Sequence, residues 1–506
     1  MMRPIDAVID HITMYRLLVY ILFVEIFMGV VLAFTHNLAF SPGALLISAV
    51  FLVVMCWTSN TILGAIFNVP TNVESAILTA LILALIFDPP KTSSDLIVLG
   101  WAAILAMASK YILALHSKHL FNPAAVSAVI IGYALQDPAS WWVGTSRMLP
   151  VVLIGGLLIV RKVRQETMVG TFLLAATIGE GLFALLHGTP MSLEMRRFLA
   201  ESPLFFFASI MLTEPLTAPP TRLLKSIYGL ITGLLFIPQV HLGSTYSTPE
   251  LALVIGNVFS YLVSPKRKYV LALQRKTRLA PDAVDFSFAA PDGLAFAPGQ
   301  YMEWTLGYPG ADSRGNRRYF TLASSPTENV LHLGVKFYED GSSFKKALLG
   351  LNRRSTILAG QIAGDFTLPS DPRRKLVFIA GGIGITPFRS ILKYLIDTRQ
   401  QRDVVVFYAV RRVEEIAYAD VLDDANRRLG IPTYYTLTDA DTAPRNWAGY
   451  VGRVDSNMIA EAVPDFRERI FYLSGPPNMV RSYERMLRDL GIGRRQIKKD
   501  FFSGLA

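Results

Sequence analysis

The chain changes character close to residue 264. Before it, one apolar run follows another; after it, charged and apolar residues mix as in a water-soluble protein. Hydrophobic residues make up 52% of the 506 and charged residues only 17%, against roughly 25% charged in an ordinary soluble domain. The shortfall lies in the first half, which is therefore built for lipid and the second for water. At this length neither half is short of core.

The net charge of +10 does not call for nucleic acid. Lys and Arg flank the apolar segments, as in inner-membrane proteins. Cys56 is the only cysteine, which excludes an intramolecular disulfide and a four-thiolate iron–sulfur cluster within the chain. Its apolar setting suits a small packing residue. The first apolar stretch runs on into others without a small-residue cleavage pattern, so no cleavable signal is expected.

A bilayer core needs roughly 20 apolar residues per helix. Ten candidate spans are 17–34, 43–67, 75–87, 96–115, 121–135, 149–160, 168–186, 204–212, 224–240 and 251–263. Several are short, as half-helices lining a cavity are. With the N-terminus inside, the inner ends carry Arg3, Arg16, Lys110, Lys118, Arg161, Lys162, Arg164, Arg222, Lys225, Lys266, Arg267 and Lys268. The outer ends carry Lys91, Arg147, Arg196 and Arg197. Twelve against four follows the positive-inside bias. An even number of spans then puts both termini in the cytoplasm, on a multi-pass protein of a bacterial-type inner membrane.

A transmembrane haem pair needs histidines facing each other from within helices. Of the seven, His11, His36, His116, His119, His187, His241 and His332, only His116 and His119 are close in sequence, and they sit at a helix end beside Lys118. No haem and no metal site are expected. Glu25 and Glu180 fall inside apolar spans. A carboxylate in lipid is costly; it either serves an ion or proton path or hydrogen-bonds a neighbouring helix.

Four stretches of this half, taken in order, carry a resemblance. They are Ser75-Ala-Ile-Leu-Thr79 leading to Asp88-Pro-Pro90; His119-Leu-Phe-Asn-Pro-Ala-Ala125; Gly144-Thr-Ser146 before Val152-Leu-Ile-Gly-Gly156; and Met211-Leu-Thr-Glu-Pro-Leu-Thr-Ala-Pro219. Together they resemble the B subunit of sodium-pumping NADH:quinone reductase and the D subunit of the Rnf complex, over most of 1–263. In those subunits a Ser-Gly-Ala-Thr segment carries phosphoester-linked FMN. Here the corresponding connection, 136–148, lacks that tetrapeptide, which argues against covalent FMN. Thr145 is its nearest hydroxyl, in a context matching the segment after the flavin site. A non-covalent flavin or a quinone remains for the family's cavity, near Asn122 or Thr213–Thr217.

Past the junction, 268–273 and 283–288 alternate as antiparallel strands do. Then follow Pro298-Gly-Gln-Tyr301, a strand at 302–306, Arg318-Tyr-Phe-Thr321, a strand at 333–337, and Asp340-Gly-Ser-Ser-Phe344 opening a helix through Leu351. A guanidinium can clamp a pyrophosphate bidentately. Small residues at a helix start expose N–H groups to phosphate. From Lys375 the period changes. Leu376-Val-Phe-Ile-Ala380 reads as a strand buried in a parallel sheet. It runs into Gly381-Gly-Ile-Gly-Ile-Thr-Pro387 and a helix over 388–397, a turn that lets a dinucleotide's phosphates reach the backbone. Pro387 stands where the common dinucleotide fingerprint has its third Gly. Strand 403–410 ends in Arg411-Arg412, and strand 469–473 meets Ser474-Gly-Pro-Pro-Asn-Met479.

This order is similar to the ferredoxin–NADP reductase superfamily over about 266–506. The resemblance implies FAD and a nicotinamide dinucleotide, with cofactor contacts from Gln300, Tyr301, Arg318, Tyr319, Phe320, Thr321, Gly341, Ser342, Ser343, Gly381, Gly382, Gly384, Thr386, Pro387, Gly475 and Pro476. Arg318 would bind the FAD pyrophosphate, Phe320 would take the flavin-contacting aromatic place (usually Tyr), and Thr321 would bond near N5. Ser474 stands where many members have the Cys that positions the nicotinamide. The tail Asp500-Phe-Phe-Ser-Gly504 matches the family's, with Phe501 or Phe502 over the flavin or simply packed. Thr321, Ser474 and Phe502 are thus the residues expected at the reacting end. Arg411 and Arg412 at a strand end suit either an adenosine 2′-phosphate or plain solvent.

The expected architecture is a polytopic α-helical membrane domain of about ten helices (1–263), an antiparallel β-barrel FAD domain (264–370) and an α/β Rossmann-like NAD(P) domain (371–506). The expected function is a membrane-bound flavin-dependent NAD(P)H oxidoreductase. It would pass electrons through FAD to a quinone, a flavin or a partner protein, with no iron–sulfur cluster in the path. Two alternatives stay open: a redox-driven cation pump using Glu25 and Glu180, and an anchored reductase of soluble acceptors.

Overall fold

The computed structural model describes residues 12–68, 71–115, 118–264, 267–310, 312 and 315–500. They form two compact units, one running to Arg267 and the other starting at Lys268. The roles expected of Phe501 and Phe502, and the charges Arg3 and Lys266, lie outside the described residues.

The first unit is helical. Its helices are α1 (Met14–Phe34), α2 (Pro42–Ile66), α3 (Val73–Ile86), α4 (Ser93–Ile112), α5 (Pro123–Ala134), α6 (Leu149–Val163), α7 (Glu166–Leu186), α8 (Met191–Ala200), α9 (Arg222–Leu235) and α10 (Pro249–Val263). Seven starts follow one rule: the Thr13, Ser41, Asn72, Thr92, Asn122, Thr221 and Thr248 side chains each accept an N–H from the first turn. Pro42, Pro123 and Pro249 then occupy first helical positions, where no N–H is needed.

Among the described residues, α1, α2, α4 and α7 are long and apolar enough to cross a membrane, while α3, α5 and α10 are shorter apolar helices. The stretch expected as a span at 204–212 is one α-turn, Leu204–Phe206, running into a π-helical turn, Phe207–Met211. Its Ser209 lies so close to α6 that a Cβ on Gly156 would come within 2.5 Å of the Oγ. Close approach also joins α9 to α7. A Cβ on Gly229 would stand 2.5 Å from the Met168 carbonyl, and one on Gly233 2.6 Å from that of Phe172. Glycines four apart thus let two backbones meet. Cys56 is fully buried.

The second unit pairs an antiparallel sheet with a parallel one. The antiparallel strands are β1 (Lys268–Ala280), β2 (Ala283–Ala289), β3 (Tyr301–Thr305), β4 (Arg317–Thr321), β5 (Val330–Lys336) and β6 (Thr356–Ala363), in the order β4-β3-β6-β1-β2-β5. Phe286, Phe288, Met302, Trp304, Leu331 and Leu333 fill their core, and α11 (Ser343–Leu349) adds Phe344 and Leu348. The strand expected at 268–273 runs on to Ala280, because a tight turn at Pro281-Asp282 folds it directly onto β2.

The parallel strands are β7 (Leu376–Gly381), β8 (Val404–Val410), β9 (Thr433–Leu437), β10 (Tyr450–Val451), β11 (Ile470–Ser474) and β12 (Ile497–Asp500), in the order β10-β9-β8-β7-β11-β12. Helices α12 (Thr386–Thr398), α13 (Ala419–Leu429), α14 (Ser456–Ala462) and α15 (Pro477–Asp489) connect them. Every residue of β7 and β8 is buried, as the continuous apolar runs require of a sheet covered on both faces. The chain builds outward from β7 in one direction and then returns to its other side with β11. This reversal opens a crevice at the carboxyl ends of β7 and β11, where sheets of this kind hold ligands.

Candidate active site

Two loops meet at that crevice. β7 ends in Gly381, and a 3-10 turn, Gly382–Ile385, leads into α12 with Pro387 in its first turn. Pro387 thereby takes a helix-starting place that needs no N–H. Gly382 holds φ +53, a conformation that suits glycine. β11 ends in Ser474, followed by Gly475 and Pro476. A Cβ on Gly384 would come within 2.5 Å of the Ser474 carbonyl and 2.6 Å of the Gly475 Cα. A side chain at 384 would therefore close the gap between the loops.

A three-residue polar set stands beside them. Asp500, at the end of β12, is in register with Ser474 across the parallel ladder. Its Oδ2 accepts from the Ser474 hydroxyl at 3.1 Å and from the Thr321 hydroxyl, at the end of β4, at 3.2 Å. Burial pushes the Asp500 carboxyl up to about 7, against the pull of the two hydroxyl bonds. The group can thus hold or release a proton near neutrality, where a general acid or base works best. The sequence placed Thr321 and Ser474 in the site but not Asp500.

The anion-binding residues lie farther along β4. Arg318 is buried, stacked over the Phe344 ring at 5.2 Å, and its Nη1 donates to the Gly315 carbonyl at 3.2 Å. Asp312 reaches the same place: its Oδ2 accepts the Ser343 N–H at 2.9 Å and its Oδ1 lies 3.9 Å from the Arg318 guanidinium. A carboxylate between a guanidinium and a backbone N–H shows that these residues accommodate an anion, so they fit the diphosphate of a dinucleotide. Ser342 caps α11 by accepting from the Lys345 N–H, and Ser343 bonds the Tyr308 hydroxyl at 2.9 Å. Phe320 lies 6.1 Å from Phe344, ring to ring.

Other expected contacts have structural partners in place. Gln300 bridges the Ala297 N–H at 2.9 Å and the Gly364 carbonyl at 3.2 Å. Tyr319 donates to Glu303 at 3.0 Å. Tyr301 packs edge-on to Tyr319, and burial pushes its phenol up to about 12. Thr386 donates to the Ile383 carbonyl within its own turn, and Gly341 turns back on the Tyr338 carbonyl. Arg412 faces Asp439 at 3.7 Å, and Arg411 is exposed at the end of β8.

The two lobes of this unit are tied by polar bridges that the sequence did not reveal. Asp285 of β2 accepts from His332 at 2.7 Å, Ser287 at 3.2 Å and Tyr418 at 2.9 Å. Tyr418 stands at φ +57, a backbone state costly for a bulky residue. Arg389 of α12 clasps both oxygens of Glu328 and donates to the Ala323 carbonyl at 3.0 Å. The readable signal was Asp285 itself, since Asp is a poor strand former.

In the helical unit, Glu214 gathers what the motifs kept apart. It accepts from Asn122 at 3.0 Å and Thr217 at 3.4 Å, and faces His119 at 3.4 Å. The Asn122 N–H donates to Asn257 at 2.8 Å, which in turn donates to Tyr228 at 2.9 Å. The Thr145 hydroxyl is buried without a partner among the described residues.

Comparison with known proteins bears on the second half. A family described as the oxidoreductase NAD-binding domain matches residues 378–485. The stachydrine N-demethylase reductase subunit Stc4 of Rhizobium meliloti is 30% identical over 232 residues, which are 45% of this chain and 65% of that protein. A flavohemoprotein of Pseudomonas putida is 29% identical over 238 residues, 46% of this chain and 59% of that protein. The chain thus spans less than two thirds of these relatives' length. Among solved structures, a cytochrome P450 reductase, GcoB, from Amycolatopsis is 25% identical with a TM-score of 0.42, covering 47% of this chain and 70% of that one. The C-terminal half resembles the ferredoxin–NADP reductase family and the NAD(P)-dependent oxidoreductases within it.

Proposed function

We propose that this chain is a membrane-bound FAD-dependent NAD(P)H oxidoreductase with domains at 1–263, 264–370 and 371–506. The observation that carries the reading is the convergence of Thr321, Ser474 and Asp500 beside the glycine turn at the switch point of the parallel sheet. Bound FAD would supply acceptance of a hydride and release of its electrons one at a time. The chain's own residues do the rest. Arg318 and the Ser343 N–H hold the diphosphate. The turn Gly381–Pro387 and Gly475-Pro476 would seat the nicotinamide dinucleotide. The Asp500 carboxyl, whose Oδ2 accepts from both hydroxyls, would take up or release a proton through its other oxygen as the reduced flavin is protonated or deprotonated. Alignment is the main catalytic contribution.

The helical unit would be the N-terminal membrane anchor and acceptor site. The set around Glu214 supports this, since His119, Asn122 and Thr217 supply both donors and acceptors for a quinone or a second, non-covalent flavin. Its motifs resemble those of the quinone-reductase and Rnf subunits, which supports a multi-pass fold of about ten spans with both termini cytoplasmic. Acid extraction of purified full-length protein tests the flavin reading: one releasable FAD per chain is expected, and none would overturn it. Assays with quinone in liposomes and with ferricyanide test the acceptor. Glu214→Gln is expected to lose quinone reduction and keep ferricyanide reduction. Equal loss or equal retention of both would favour an anchored reductase of soluble acceptors.

A further inference from the structure

We propose that Glu25 is a proton-binding site in the interior of the helical unit. It is the twelfth of the 21 residues of α1, so it lies roughly 14–17 Å from either end at about 1.5 Å per residue. The side chain is fully buried, and among the described residues neither oxygen has a hydrogen-bond partner.

The other carboxylates that fold into this unit's interior are partnered. Glu180 accepts from Gln239 at 3.2 Å on one oxygen, Glu250 accepts from the Trp141 indole at 3.0 Å, and Glu214 has the set described above. Glu180 thereby bonds the turn that follows α9, with one oxygen left over among the described residues. Among the same residues Glu25 has no such bond.

Nor does a counter-charge face it. α1 packs against α2, α3 and α6. The titratable or charged groups on those helices are Cys56 on α2, Glu74 on α3 (paired with Arg16), and Arg161 and Lys162 in the last turn of α6. On α1 itself they are Tyr15, Arg16 and Tyr20. At the depth of the Glu25 carboxyl, α6 presents Gly155, whose Cβ, if it had one, would stand 3.6 Å from Oε1. Arg161 is six residues farther along, about 9 Å at the helical rise.

A bare carboxylate with neither donor nor cation is far costlier to bury than the neutral acid. The packing around Glu25 therefore accommodates the protonated form. Because the carboxyl makes no bond that a Leu or Met would forfeit, the structure gives it no fastening role. What distinguishes it from those residues is that it can take up and give up a proton, as ionisable groups within membranes characteristically do. The proposal rests on the reading that the helical unit lies in a bilayer, but not on the identity of the electron acceptor.

Dicyclohexylcarbodiimide, which adds to protonated carboxyls in apolar surroundings, tests it on full-length protein in native membranes, with the modified residue located by mass spectrometry. We expect label on Glu25 that declines as pH rises, is absent from Glu25→Gln, and is unchanged by sodium at fixed pH. Glu25→Gln should stay in the membrane fraction, remain yellow and be bleached by NAD(P)H, which shows that both units have folded. Protection by sodium at constant pH would overturn the proton assignment in favour of an alkali cation. A chain recovered in the soluble fraction would overturn the bilayer reading. An embedded, flavin-bearing chain whose Glu25 stays unlabelled would overturn this proposal alone.

Discussion

In the reductase unit Asp500 is shared by two hydroxyls, Asp285 by His332, Ser287 and Tyr418, and Arg389 clasps Glu328. In the helical unit Glu214 is gathered by three side chains, whereas Glu25 has no partner among the described residues. Buried charge in the first case joins strands and lobes, so removing one partner leaves the others uncompensated. In the second the buried carboxyls range from the shared pocket of Glu214, through the single bonds of Glu180 and Glu250, to the bare Glu25. The difference teaches where to look for structure and where for chemistry. A fully partnered charge away from the crevice is holding the fold; a charge at the crevice, or one left alone, is free to react.

The sharpest way to break that contrast is Asp500→Asn. If Asp500 serves chemistry, flavin reduction by NAD(P)H should slow on the order of 10²–10⁴-fold, the usual range for a positioned acid or base. Stopped-flow absorbance checks it. The pH profile follows from the raised value of about 7. The neutral acid predominates below pH 7 and the carboxylate above it, so the wild-type rate should change through neutrality and the variant's should not. Because the folded value exceeds the ordinary one of about 4, this group's contribution to stability is full below pH 4. It fades as pH rises through 7, and that slope should vanish in the variant.

Glu328→Ala tests the opposite role. Leaving buried Arg389 without its carboxylate should destabilise the reductase unit by about 3–5 kcal/mol, seen in chemical denaturation, while any protein still folded keeps its flavin spectrum. Arg318→Ala should weaken FAD retention about 10- to 100-fold, the equivalent of losing a charged hydrogen bond, as measured by flavin release on ultrafiltration. The smallest effect belongs to the surface. Lys375 meets Asp465 at 2.7 Å and Glu468 at 2.9 Å in the open, so Lys375→Ala should cost less than about 1 kcal/mol.

The two units were also unequally legible. In the reductase unit the glycine turn, the Arg318–Thr321 strand and the Ser474 loop each lie within one short stretch, because residues at a strand's carboxyl end reach the crevice together. The strand itself announces them. Asp500 was not placed because its bond to Thr321 spans 179 positions, and nothing local marks a carboxylate that two distant hydroxyls will share. Asp285 escaped for the same reason: its partners arrive from another strand and from the other lobe. In the helical unit the stretches containing Asn122 and Glu214 were both visible. Their meeting depends on how α5 crosses its neighbours, which hydropathy does not encode. The turn at Phe207–Met211 likewise reads as a plain apolar span, since a π turn leaves no compositional trace.

The most direct test of the central claim is an anaerobic titration of the purified full-length protein with NADH and, separately, NADPH, following its visible absorbance. A yellow protein whose flavin band bleaches with at least one of the two is expected. A colourless preparation, or a flavin band that neither nucleotide bleaches, would contradict it.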